Sequence, residues 1–163
     1  MNEGNEGSKK KANSKLTVVE ALLTAWETGN LSQTVSLLTD DFKATGAAPY
    51  PLSREDFVMF QRVHNEAFPD WTFSVSNIEV EDDKIYVTCR IKATHTGIYD
   101  LSKLSLVFQS IQPTGKSWPW SVERMTYTVK NGKVSNLRID TVSDNWIKGI
   151  VDWLGIKLPI STV

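Results

Sequence analysis

Ile85-Tyr86-Val87-Thr88-Cys89-Arg90-Ile91-Lys92-Ala93 runs straight into Thr94-His95-Thr96-Gly97. Five apolar side chains at odd positions face four polar ones at even positions. That period of two belongs to a strand with one face in a core and one in water. Upstream, Glu81-Asp82-Asp83-Lys84 marks a turn, and Phe73, Val75, Ile78 and Val80 supply the strand before it. Downstream, Trp118 to Val129 reads as another strand, with Pro119 at a bulge or an edge. Asn131-Gly132 then turns the chain into a last strand from Val134 to Val142. The connection from Tyr99 to Pro113 is long, and its Leu104, Leu106 and Phe108 suit an extra strand or a lid.

The half before this sheet has a different period. Val19, Leu22, Leu23 and Trp26 recur at i, i+3, i+4 and i+7, the stripe of a helix packed on one face. Gly29-Asn30 breaks it, and Leu31 to Leu38 forms a second short helix. Phe42 begins a short extended piece, and Ala44 to Pro51 is a loop. Ser53 stands three residues before Asp56, a capping pattern that starts a third helix carrying Phe57, Phe60, His64 and Phe68 on one face. Pro69 stops it. A last amphipathic helix bears Ile147, Ile150, Val151 and Leu154 and ends at Gly155. Helices first and a long antiparallel sheet after them make an α+β plan, with the helices on one face. A strongly curved sheet crossed by helices on its concave side encloses a cone that can hold a ligand.

Composition narrows the function classes. The 163 residues carry a net charge of −1, with Lys and Arg dispersed, so no nucleic-acid footprint is expected. No apolar run reaches the ~20 residues of a membrane span. Residues 1–15 are polar, include Lys9-Lys10-Lys11 and lack the apolar centre of a secretory signal; they read as a flexible tail, with one domain over 16–163. The single cysteine, Cys89, leaves no disulfide framework and suits a reducing, cytoplasmic setting. Its place in an alternating strand makes it a buried small hydrophobe. His64 and His95 have no metal-like spacing, and no phosphate loop, dinucleotide fingerprint or Ser-His-Asp order is present, so neither metal nor cofactor is expected.

Ala25-Trp26-Glu27-Thr28-Gly29, Leu38-Thr39-Asp40-Asp41-Phe42, Ala67-Phe68-Pro69-Asp70, Thr94-His95-Thr96-Gly97, Pro113-Thr114-Gly115-Lys116, Asn131-Gly132-Lys133 and Leu154-Gly155 follow one another in a fixed order. In that order the chain resembles the SnoaL-like polyketide cyclase (ester cyclase) family of the nuclear-transport-factor-2-like superfamily, from about Val18 to Pro159. The resemblance implies an α+β barrel, commonly a homodimer packed through the outer sheet face. It implies a pocket between helices and sheet for a small apolar or aromatic molecule. It also implies ring closure or isomerisation without metal or cofactor, driven by an aspartate on the last strand.

Carried over residue by residue, the family aspartate falls on Ile139, which cannot exchange a proton. Histidines that relatives place nearby fall on Leu137 and Met125. The resemblance leaves Trp26, Phe60, Met125, Tyr127, Leu137 and Ile139 as pocket-lining positions, and Glu123, Asp140 and His64 as candidates for acid/base work. Asp140 is adjacent to Ile139, but alternation turns it to the other face, beside Arg138. If Asn131-Gly132 is a type I turn with a glycine bulge, Glu123 faces Ile139 on the pocket side; if it is a two-residue turn, Glu123 faces Asp140. His64, between Phe60 and Phe68, suits a core imidazole as well as a catalyst. Three functions stay open: a cofactor-free cyclase or isomerase, a non-catalytic carrier or sensor, and a dimeric interaction module.

Overall fold

In a computed structural model of the chain, residues 3–104, 110–118 and 122–156 are described. The order is α1 (Glu3–Glu27), α2 (Leu31–Leu37), β1 (Leu38–Thr45), β2 (Leu52–Ser53), α3 (Arg54–Ala67), β3 (Thr72–Glu81), β4 (Lys84–Lys92), a 3-10 turn (Leu101–Leu104), β5 (Val122–Lys130), β6 (Lys133–Asp140) and α4 (Trp146–Trp153). The strands form one curved, unclosed sheet in the order β2-β1-β6-β5-β4-β3. All neighbours are antiparallel except β1 and β6, which run parallel. The α+β plan read from the two periodicities is the observed one.

Local chemistry sets the helix boundaries. Ser53 Oγ accepts from the Asp56 amide, so the capping pattern starts α3 as expected. Asn30 caps α2 in the same way through the Gln33 amide. The stripe Val19, Leu22, Leu23 and Trp26 is buried, as are Phe57, Phe60, His64 and Phe68 of α3 and its cap. Helix α1 begins at Glu3, inside the stretch expected as a tail. Its polar composition gives that stretch no apolar stripe, and Lys15 Nζ instead donates to the Asp82 carbonyl at the β3–β4 turn, 2.5 Å away.

Two expectations are corrected. The extended piece expected from Phe42 is a full strand from Leu38, paired in parallel with β6; a parallel partner nearly a hundred residues away leaves no local signal. The last strand ends at Asp140 instead of Val142, and Val142 is 91% exposed. Pro119, Trp120, Leu106 and Phe108 lie outside the described residues. The ends of the long connection meet, because Tyr99 and Ile111 exchange both backbone hydrogen bonds at 2.8–2.9 Å.

Three of the sequence landmarks dock on one another. His95 N–H donates to Lys116 O, Gly115 N–H to His95 O, and Trp118 N–H to Ala93 O. Thr114 N–H donates to His95 Nδ1, so this imidazole ties the strand end to the Thr114 turn. Asp70 Oδ1 accepts from Thr94 N–H at 2.7 Å, and Gly97 N–H donates to Ala67 O at 3.0 Å. A Cβ on Gly97 would stand 1.8 Å from the Glu66 carbonyl oxygen, so only glycine lets the chain pass the end of α3 this closely. Gly97→Ala is therefore expected to destabilise the fold by roughly 2–4 kcal/mol, read as a lower denaturant midpoint at unchanged slope. A loss under about 0.5 kcal/mol would show that the junction can relax.

Candidate functional site

The inner face of the sheet is built by alternation on β4, β5 and β6. Ile85, Val87, Cys89 and Ile91 point inward, as do Glu123, Met125, Tyr127, Val129, Val134, Leu137 and Ile139. Helices α1, α3 and α4 cover this face and bring Trp26, Phe57, Phe60, His64 and Trp146 onto it. Trp26 is the hub: its ring lies 5.4–6.4 Å from those of Phe57, Phe60, His64, Trp71, Phe73 and Trp146. Among the described residues, the void left under these rings is about 10 Å³, room for roughly one water. Its lining is Leu22, Leu23, Trp26, Phe57, Phe73, Met125, Tyr127, Leu137 and Trp146.

Of the six positions expected to line a pocket, Trp26, Met125, Tyr127 and Leu137 border this void. Phe60 and Ile139 are buried beside it without lining it. The helical residues and Phe73 were legible as buried stripe positions, but no sequence signal tells which stripe residue borders a void. Trp146 is harder still, because it opens an eight-residue helix whose packing is decided by the loop before it.

The register of the β5–β6 hairpin differs from both readings of its turn. Asn131 and Gly132 both have positive φ, 53° and 77°, and Lys130 pairs with Lys133, which makes a two-residue turn. A bulge at Ser135 then shifts the register, so that Met125 faces Ile139 and Arg124 faces Asp140. Glu123 keeps its inward direction but lies one step beyond Asp140, where Thr141 Oγ1 donates to its Oε1 at 3.1 Å. It is 1% exposed, level with Cys89 on β4. Asp140 points outward and pairs with Arg138 at 3.2 Å, so it does not reach the interior.

His64 is fully buried and committed at both nitrogens. The Phe60 carbonyl, 2.7 Å from Nδ1, can only accept, so Nδ1 carries the proton; Nε2 then accepts from the Tyr99 hydroxyl at 2.8 Å. Burial pulls its pKa down to about 4, partly offset by the bond to Phe60. Glu123, His64 and Asp140 are thus not brought together, and none of them lines the void. Burial, with Glu123 nearby, pushes the Cys89 thiol up to about 12, so it stays an inert hydrophobe. Tyr99 and Tyr127 are held above the usual phenol range by burial and remain donors. No group of three or more His, Cys, Asp or Glu among the described residues is placed to hold a metal ion.

The indole Nε1–H groups of Trp26, Trp71 and Trp146 are buried without a hydrogen-bond partner among the described residues. Each such donor costs roughly 1–3 kcal/mol while it stays unpaired.

The histidine has a measurable consequence. Unfolded chains bind its proton below about pH 6.5 and the folded protein does not until about pH 4. Stability should therefore be complete above pH 6.5 and fall as the pH drops toward 4, by about 3 kcal/mol from this group. Urea midpoints across that range, with His64→Gln flattening the slope, check it; a wild-type slope that His64→Gln leaves intact would assign the effect elsewhere.

A model of the SnoaL-like polyketide cyclase family matches residues 16–140. The sequence matches none of the curated proteins. Among solved structures, a candidate SnoaL-like polyketide cyclase from Jannaschia sp. CCS1 superposes with a TM-score of 0.68 at 19% identity, over 86% of this chain and 91% of that one. AclR, a candidate hydroxylase from Streptomyces galilaeus, gives 0.67 at 22%, over 92% and 85%. An epoxide hydrolase of M. tuberculosis, described as LEH-like, gives 0.62 at 11%, over 89% and 95%. At these identities the structural likeness speaks for the fold, shared here by proteins named for different reactions. With the family model covering most of the domain, the chain belongs to the SnoaL-like polyketide cyclase family.

Proposed function

We propose that this domain binds a small apolar or aromatic molecule between its helices and the inner face of its sheet, without proton transfer from the last strand. The lining of the interior void carries the reading: every residue there is apolar or aromatic, and none exchanges a proton at neutral pH. Ile139 stands where the resemblance puts an aspartate, and it packs among other hydrocarbon side chains. Because the void is small, a ligand is admitted by displacement of rings, Trp26 and Trp146 first. Calorimetric titration with tricyclic aromatic probes such as fluorene and 9-fluorenone tests this. One molecule of at least one probe per chain is expected, with affinity changed by Trp26→Ala; no binding by either probe would sink the proposal.

A second reading rests on Glu123, a buried carboxylate on the same face as Met125 and Ile139. In a cofactor-free cyclase or isomerase it would be the base. Deuterium exchange at the α-carbon of 2-tetralone, followed by NMR, is the measurement. Protein-dependent exchange that falls roughly 10²-fold or more in Glu123→Gln supports this role; exchange that survives the substitution removes it.

The outer sheet face supports a homodimer. Glu79, Arg124, Arg138 and Asp140 surround a groove of about 360 Å³, so the face offers both signs of charge to a two-fold-related copy. Light scattering is expected to give twice the chain mass, and the double variant Arg124→Glu, Arg138→Glu to give one chain mass. A monomeric wild type would end this part of the reading.

A further inference from the structure

We propose that the groove between the N-terminal half of α1 and the tip of the β5–β6 hairpin binds a phosphate monoester. The groove holds about 270 Å³ and is lined by Lys10, Ser14 and Lys15 of α1 and by Val129, Asn131 and Gly132 of the hairpin. It shares no residue with the lining of the interior void, so it stands apart from the reading of that interior. Lys130 and Lys133 flank the Asn131-Gly132 turn, and both are exposed.

Positive charge and hydrogen-bond donors collect here without their usual partners. None of Lys10, Lys15, Lys130 and Lys133 forms an ion pair among the described residues. Glu81, Asp82 and Asp83 stand at the neighbouring β3–β4 turn, yet none of them lines the groove, and Lys15 meets that turn through the Asp82 carbonyl. That bond uses one donor of the Lys15 ammonium and leaves the others. The Ser14 hydroxyl and the Asn131 carboxamide add uncharged donors. This half of α1 has no apolar stripe, so an anion bridging it to the hairpin would supply the contact that hydrocarbon packing does not. A carboxylate or a phosphodiester brings a single charge. A phosphate monoester brings about −1.5 to −2 and three acceptor oxygens, the closer match to two lysines on the wall and two beside it. Small-ligand pockets start at roughly 300 Å³, so the organic part of the ester is compact, with Val129 to rest on.

Two probes of this chemistry, glycerol 3-phosphate in solution and phosphatidic acid in phosphatidylcholine vesicles, test the site on the full-length protein and separate a free ester from a lipid headgroup. In ¹H–¹⁵N spectra at low salt, glycerol 3-phosphate is expected to move the Ser14, Asn131 and Gly132 amide signals. Glycerol should leave them in place, and acetate should bind roughly tenfold or more weakly. The double variant Lys10→Gln, Lys15→Gln keeps helix propensity and should weaken binding at least about tenfold. Lys103→Gln, which removes a lysine of the 3-10 turn, should leave it unchanged. Vesicle binding that needs phosphatidic acid and both lysines, with no response to glycerol 3-phosphate, would assign the same site to a lipid headgroup. Failure of both probes, shifts that do not centre on these residues, or an equal loss in Lys103→Gln would overturn the proposal.

Discussion

The packing of Trp26 against six surrounding rings is the contact on which the rest of this molecule depends. It joins α1 to α3, to β3 and to α4 at one point, and a ring of that size buried in such company brings several kcal/mol to the core. Its position is held by polar bonds as well as by contact. Gln61 and Asn65 of α3 donate to the Ala25 and Trp26 carbonyls at the end of α1, which also accept from the Asn30 and Gly29 amides. Glu27 accepts from the Phe73 amide and fixes the same helix end to the edge strand. These bonds hold the end of α1 in place, while the indole N–H of the hub ring is left over among the described residues.

That combination explains why the interior is rich in aromatic surface and poor in reactive groups. The two histidines are spent on structure: His64 bridges α3 to Tyr99, and His95 seats the Thr94–Gly97 corner against Thr114. The thiol of Cys89 is suppressed by the same burial that makes it a good core residue. Glu123 is the one carboxylate turned inward among the described residues of β5 and β6, and its Oε1 accepts from Thr141. Proteins of the same fold carry names for quite different reactions, so the fold alone does not fix a reaction.

Much of the frame was legible from the chain. The 3.6-residue stripe through Trp26, the Ser53 cap and the alternation from Ile85 to Ala93 each report a local preference that the fold keeps, because burial of one face rewards the same spacing that the backbone dictates. The outward direction of Asp140 followed from the same alternation, whereas the side taken by Glu123 was left open by the two readings of the Asn131-Gly132 turn. The Ser135 bulge moved Glu123 from facing position 139 or 140 to facing Thr141, and a bulge is set by how β6 must bend to lie beside β1.

The sequence by itself determined most of the elements and their order, because propensity, period and turn chemistry act over a few residues. Only the tertiary structure decided that β1 runs parallel to β6, that both nitrogens of His64 are already occupied, and that three indoles from distant segments share one buried triangle. Those are consequences of curvature and of chains meeting across long separations, where no residue carries the information until its partner arrives.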